Sequence, residues 1–472
     1  MCSHQAEVFL FIRVRGKDGT GRRGFSYLEQ MEDCSSQRWV EAQVADSVHA
    51  WQLSAARSLP QLPRYSVPEQ RKREKAYDKS LQSVEREARC VQRSPALRKQ
   101  AQQRIVEAFP RFAIHALGLE DEAVALLTNG FFPVGTQLAR WARGFDAELS
   151  IADTVQASRN AWICCGAQAL LGLPMELTPS ILAYSLLYPY SDNYLDQPEL
   201  PAAEKLRFSE RFRRRLRGER LSALDPREAA IWSLVQMIEE QYDRQLHPQV
   251  YLSLLAIHDA QEASLAQLQG GALDNRPRSS AELLRISCAK GGTSVLADAF
   301  LAQPHLSREQ SRFAFEWGVL LQLGDDLQDV REDRARGSAT LFTRAAAEGE
   351  PLDGLVMQLL RFSQRVAERM DALPHGSESL KGLLRMSWRS LILMAVADAQ
   401  DCFTPAFLAE LEPCSSFRFD FLRARNQKLA GRKEIYETLF DTFLEVGEDG
   451  TQQIACSKQQ PVDCGQLLAV NC

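Results

Sequence analysis

Between Leu321 and Arg334 the chain reads Leu-Gln-Leu-Gly-Asp-Asp-Leu-Gln-Asp-Val-Arg-Glu-Asp-Arg. At about 100° per residue, Asp325, Asp329 and Asp333 fall on one stripe of a helix, with Gln322 and Gly318 on the same stripe and Asp326 on its flank. Val319, Leu323, Leu327 and Val330 take the opposite side, which suits core packing. The segment therefore has to be a helix with one buried face and one acidic face. Carboxylates four residues apart repel, and Arg331 and Arg334 offset only part of that. Such a face is either solvated and salt-bridged or built to hold cations. The apolar approach from Phe313 to Leu323 favours a helix that is buried at its start.

A second acidic group, Asp192-Asn193-Tyr194-Leu195-Asp196, has its two carboxylates four residues apart, hence on one helix face. It sits just before Pro198, at a helix end where the dipole disfavours anions. Pro189, three residues upstream, is expected to kink that helix or open its hydrogen bonds. Alone, this group also reads as a polar helix end facing water. Oxygen-only ligand sets favour hard cations, Mg²⁺ first. None of the seven histidines belongs to either group, which argues against zinc and against a di-iron bundle.

Around these groups the pattern is helical. Thr178-Pro179 and Ser279…Glu282 are helix starts, the second a capping box. Asp196-Gln197-Pro198 and Arg336-Gly337 are helix stops. Alternating strand runs are scarce, so the fold class expected is all-α, one large helical domain. Residues 95–446 form that domain. Residues 1–94 are a partly flexible N-terminal extension, with a linker at Pro60, Pro63 and Pro68 and a charge-dense stretch at 71–93 that reads as a solvated helix or an arm. Residues 447–472 are a polar tail expected to be disordered.

A net charge of −5 over 472 residues gives no global drive toward nucleic acid, so no nucleic-acid partner is expected. No clean run of about 20 apolar residues occurs, so no transmembrane helix is expected. The eleven scattered cysteines, with no CxxC pair, read as buried or free thiols of a cytoplasmic protein. The basic run Arg211 to Arg217 suits a solvated helix face, and it also carries the charge for a diphosphate or for peripheral contact with anionic lipid. Ser415 to Lys428, with Arg418, Arg423 and Arg425 beside Phe417, Phe419 and Phe421, reads either as a C-terminal lid or as packing.

With both acidic groups in view, the chain resembles the class I isoprenoid synthase superfamily, in which two Asp-rich helices face each other across an all-α cavity. Asp192-Asn193-Tyr194-Leu195-Asp196 is similar to the first motif. Gln322-Leu323-Gly324-Asp325-Asp326-Leu327-Gln328-Asp329 is similar to the second motif of chain-elongating prenyl synthases, and Asp329-Val330-Arg331-Glu332-Asp333 to that of squalene and phytoene synthases. Phe132-Pro133 with Trp141, and His258-Asp259-Ala260-Gln261-Glu262-Ala263-Ser264-Leu265, resemble pieces of bacterial large terpene cyclases.

The resemblance covers about residues 105–430 and implies a Mg²⁺-dependent terpene synthase acting on an allylic prenyl diphosphate. It implies three Mg²⁺, with Asp192 and Asp196 holding one or two and Asp325, Asp326, Asp329 and Asp333 the others. Asp192, Asp196, Asp325 and Asp329 would be catalytic, and Lys290, Gln322, Arg331 and Arg334 would meet the diphosphate or its metal-bound water. Gly291-Gly292, inside a helical pattern, would mark a kink or a close approach to substrate, against a plain helix break with a snorkelling Lys290. Condensation of two prenyl diphosphates uses the same machinery, and an all-α diphosphohydrolase or a non-catalytic helical scaffold are the readings from other classes.

Overall fold

The computed structural model describes residues 27–55, 57–195, 197, 200–267, 278–430, 435 and 438, with side chains from residue 38 onward except at 95, 188, 192, 202, 266, 429 and 430. The polar tail and Cys2, Cys456, Cys464 and Cys472 lie outside these residues. Among the described residues there is no strand. The helices are α1 (Tyr27–Gln52), α2 (Val67–Arg93), α3 (Arg98–Phe112), α4 (Asp121–Leu126), α5 (Phe132–Phe145), α6 (Ile151–Leu170), α7 (Pro179–Leu195), α8 (Ala202–Leu216) and α9 (Pro226–Gln241). They continue as α10 (Pro248–Ser264), α11 (Ser280–Ala302), α12 (Arg308–Gln328), α13 (Val330–Arg336), α14 (Leu341–Ala347), α15 (Asp353–Asp371), α16 (Glu378–Asp398), α17 (Pro405–Leu411) and α18 (Phe419–Ala430). The all-α expectation holds. No helix is long and apolar enough to cross a membrane, among the described residues.

Local chemistry sets the ends. Ser279 accepts from the Glu282 N–H while the Glu282 carboxylate accepts from the Ser279 N–H, so α11 starts on its capping box. Gly337 closes α13 at φ +73°, a left-handed conformation that favours glycine. Helix α7 begins at Pro179 and runs through Pro189.

Helix α11 is the hub: it touches α1, α6, α7, α10, α12 and α14. Its tightest neighbour is α12. A Cβ on Gly318 of α12 would lie 2.0 Å from the Gly291 carbonyl oxygen of α11, and one on Gly291 would lie 2.4 Å from the Gly318 carbonyl oxygen. The two backbones therefore cross in direct contact. The glycine pair neither breaks nor ends α11, contrary to the helix-break reading. What it admits is a second helix.

The stretch 71–93 also differs from a solvated arm. Helix α2 is amphipathic once Gln70, Glu74 and Glu85 are counted with Tyr77, Leu81, Ala88 and Val91 on its buried side. Acids on the inner face hid that pattern. Trp51 of α1 and Tyr77 of α2 share the main core with α11 and α12, so the packing has no break at residue 94. The segment read as lid or packing is packing: Phe417 and Phe421 set their rings 5.7 Å from Tyr77, and Arg425 pairs with Asp78 at 2.6 Å.

Glu74 anchors this contact, accepting from the Arg418 backbone N–H at 3.0 Å and from its Nε at 2.9 Å and Nη2 at 2.5 Å. Glu74→Ala removes a buried carboxylate and leaves a partly exposed guanidinium and an amide without their acceptor. The expected loss is about 1–2 kcal/mol, since water reaches Arg418 and screens the pair. Urea unfolding of the variant against the full-length protein checks it.

Candidate active site

The α11–α12 crossing carries the acidic stripe. Beyond Gly318, α12 runs three more turns, and its inner residues Val319, Leu323 and Leu327, with Val330, are buried as the periodicity required. The stripe does not lie on one unbroken helix. Helix α12 ends at Gln328 and Asp329 leaves helical geometry (φ −91°, ψ 9°), after which α13 begins. The ladder still bridges the break, because Asp329 N–H donates to the Asp325 carbonyl at 2.9 Å and Asp333 N–H to the Asp329 carbonyl at 2.8 Å. The three carboxylates thus stay on one side, with a bend at the middle one.

Two of the predicted groups are committed inside the protein. Asp326 is buried, accepting from Ser287 Oγ at 2.6 Å and from Gln322 Nε2 at 2.8 Å. It links α11 to α12, and its hydrogen bonds hold the carboxylate against the burial that raises its pKa. Gln322, placed by resemblance on the diphosphate, spends an amide N–H on Asp326.

Asp325, Asp329 and Asp333 are different. They accept no side-chain hydrogen bond or ion pair at contact distance among the described residues. Asp325 and Asp329 are exposed to solvent and Asp333 is half-buried. Yet lost solvation raises Asp325 to about 7, with Asp329 and Asp326 adding repulsion and Arg159 and Lys290 opposing it. Asp325 therefore meets solvent while neighbouring protein and like charges crowd it. Asp333 is raised to about 6 by burial and then by Asp326 and Asp329, and Asp329 is raised by burial and then by Glu332. The crowding costs stability unless cations are supplied from outside.

Lys290, one residue before the crossing, directs its charge at Asp325 and Asp326. Arg159 of α6 does the same for Asp325 and Asp329. Sequence reasoning missed Arg159. It stands alone in its helix, without a motif, and only the packing of α6 on α11 brings it here. The same helix reaches the other acidic group. Asn193 of α7 donates to Asp153 Oδ1 at 2.8 Å and to Gln156 Oε1 at 3.3 Å. Gln156 and Arg159 are three residues apart on α6, on one face. So α6 spans from the end of α7 to the acidic stripe. Asp192 belongs to the last turn of α7, while its side chain and all of Asp196 lie outside the described residues. Beside that turn stands a half-buried aromatic row: Trp141 stacks on Phe145 at 5.2 Å, and Phe145 meets Tyr190 edge-on at 6.3 Å.

The arginines predicted for the diphosphate turn elsewhere. Arg331 pairs with Asp401, which also feels the charge of Arg334, and both arginines are exposed. The basic run of α8 is paired with acids: Arg211 with Glu228, Arg213 with Asp259 and Glu262, Arg214 with Glu219, and Arg215 with Glu239. That suits a salt-bridged face between helices.

Below the stripe, α6 and α11 share a buried carboxyl. Asp298 Oδ1 accepts from Asn160 Nδ2 at 3.1 Å and from the Cys164 thiol at 2.9 Å, whereas Oδ2 has no hydrogen-bond partner among the described residues. Burial pushes Asp298 up to about 7 and outweighs both hydrogen bonds. Its folded pKa is above the ordinary 3.8, so its contribution to stability is full below about pH 4 and is lost as pH rises through 7. Asp298→Asn, which resembles the protonated acid, is expected to match the wild type near pH 4 and to exceed it by about 2 kcal/mol at pH 8, within an upper bound of about 4. Thermal melts at the two pH values check this. The described cysteines, Cys90, Cys164, Cys165, Cys288, Cys402 and Cys414, are free thiols.

Among the described residues, no group of three or more His, Cys, Asp or Glu side chains is arranged as a ready-made metal cage. The accessible donors Asp325, Asp329 and Asp333 are hard oxygens short of counter-charge. That donor set fits Mg²⁺, which takes one or two carboxylates from a protein and fills its shell with water and phosphate oxygens. Compared with models of known protein families and with curated proteins, the chain matches none.

Proposed function

We propose that the protein is a Mg²⁺-dependent class I terpene synthase that ionises an allylic prenyl diphosphate and cyclises or rearranges the resulting carbocation. The observation that carries this reading is the crowding of Asp325, Asp329 and Asp333 on a solvent-accessible wall, with Arg159 and Lys290 beside them. A wall of that kind calls for cations on one side and an anion between them and the basic residues. A diphosphate bridged by metal is such an anion.

Asp325, Asp329 and Asp333 would hold the metal on this side, and Asp192 and Asp196 on the other. Bound there, Mg²⁺ would neutralise the diphosphate and make it a better leaving group. Lys290 and Arg159 add fixed positive charge where negative charge grows as the C–O bond breaks. Asp326 and Gln322 act behind the wall, fixing the last turn of α12 on Ser287 of α11. The apolar flanks and the row Trp141, Phe145 and Tyr190 suit a hydrocarbon chain and a cation: they exclude water and offer ring faces.

The test is Mg²⁺-dependent pyrophosphate release from allylic prenyl diphosphates of increasing length, with organic extracts analysed alongside. The expected result is release that requires Mg²⁺ and leaves a terpene hydrocarbon or alcohol. Folded protein that releases none at any chain length would overturn the reading.

A further inference from the structure

Behind the last turns of α7 lies a small cavity, with about 20 Å³ open to the centre of a water molecule, lined by residues of α7, α8 and α10 that include Ser191, His258 and Gln261. That volume suits one water. Its polar wall can be resolved to the proton. Ser209 Oγ donates its single hydrogen to Glu262 Oε1, so toward His258 it can only accept. His258 Nε2 stands 3.1 Å from that oxygen and 3.2 Å from the Ser209 carbonyl, which also only accepts. Nε2 therefore carries the proton. Burial depresses the His258 pKa to about 4, against the pull of Glu262, so the ring is neutral and Nδ1 is a bare lone pair. His258 is 1% exposed, and Nδ1 has no hydrogen-bond partner among the described residues.

Ser191 presents the matching half. Its hydroxyl proton goes to the Leu187 carbonyl at 2.7 Å, so its oxygen too is left as an acceptor. Two acceptors on one cavity, which Gln261 also lines, ask for a molecule with two hydrogens to give. The place is sensitive. Pro189 cannot donate to the Ser185 carbonyl, so the last turns of α7 are tied less firmly to their own helix. On the α6 side Asn193 is held by Asp153 and Gln156.

We propose that this cavity is a single-water site, and that the water, donating to His258 Nδ1 and Ser191 Oγ, makes His258 a positioning residue for the last turn of α7. That turn carries Asp192, next to Ser191, and the consequence for metal binding rests on the terpene synthase reading.

The experiment follows hydrogen exchange by mass spectrometry across residues 189–195 in the full chain, for the wild type, Ser191→Ala and His258→Phe, with α15 as internal reference. Exchange in 189–195 is expected to rise tenfold or more in His258→Phe and several-fold in Ser191→Ala, with α15 unchanged. A crystal structure of the wild type should show a water within hydrogen-bond distance of His258 Nδ1. Unchanged exchange in Ser191→Ala, or a dry cavity, overturns the proposal even if His258→Phe does not fold. Mg²⁺ with inorganic pyrophosphate, titrated separately, is expected to bind several-fold more weakly to Ser191→Ala. If the wild type binds neither, the synthase reading fails while the exchange result still decides the water site.

Discussion

Gly318→Ala is expected to destabilise the protein by about 3 kcal/mol or more, which for a single methyl group is extreme. The added carbon would sit 2.0 Å from the Gly291 carbonyl oxygen and 3.1 Å from the Gly292 Cα, both backbone atoms of the hub helix. Neither can swing aside as a side-chain tip would, so α11 and α12 must separate along their length. Overpacking a core costs about 1–3 kcal/mol when side chains absorb it, and here they cannot. The gain of about 1 kcal/mol in helix propensity works the other way and does not reverse the sign. Separation would also pull Ser287 from Asp326, so pyrophosphate release should fall with stability. Gly354→Ala is the control: the same exchange in α15, where an added Cβ meets nothing within 4 Å, should be neutral or stabilising. Urea unfolding of both variants tests the pair.

The largest effect on activity is expected from Asp329→Ala. Asp329 is the bend between α12 and α13, and its carboxylate is exposed beside Asp325 and Asp333. Its loss should lower pyrophosphate release by about a thousandfold or more, equivalent to about 4 kcal/mol of transition-state stabilisation. Stability should be unchanged or rise slightly, because one like charge leaves a crowded wall. That opposition separates a functional acid from a structural one. Asp326→Ala should instead lose both activity and stability, since Asp326 is the buried acceptor of Ser287 and Gln322.

These two cases show what the sequence made legible. The acidic stripe and its apolar back were readable because period 3.6 sorts Asp325, Asp329 and Asp333 from Val319, Leu323 and Leu327 without tertiary knowledge. The starts at Pro179 and Ser280 and the stop at Gly337 were readable for a similar reason: caps are local. The bend at Asp329 was not, because the i to i−4 bonds continue across it and no proline or glycine marks it. Gly291-Gly292 looked like a weakness in one helix, and its partner Gly318 lies 27 residues away. Helix α2 concealed its buried face because Glu74 and Glu85 are paired with cations, Glu74 with Arg418 far along the chain. Arg159 had no local signature, and Arg331 had a misleading one: it adjoins the acids in sequence yet reaches across to Asp401.

The central claim, that the stripe with Lys290 and Arg159 forms a magnesium–diphosphate site, is tested most directly by calorimetric titration of inorganic pyrophosphate into the wild type and Asp329→Ala, each with and without MgCl₂. The account predicts binding by the wild type that requires Mg²⁺ and weakens by about a hundredfold or more in Asp329→Ala, a loss of about 3 kcal/mol. Pyrophosphate binding indifferent to Mg²⁺, or unchanged when Asp329 is removed, would contradict it.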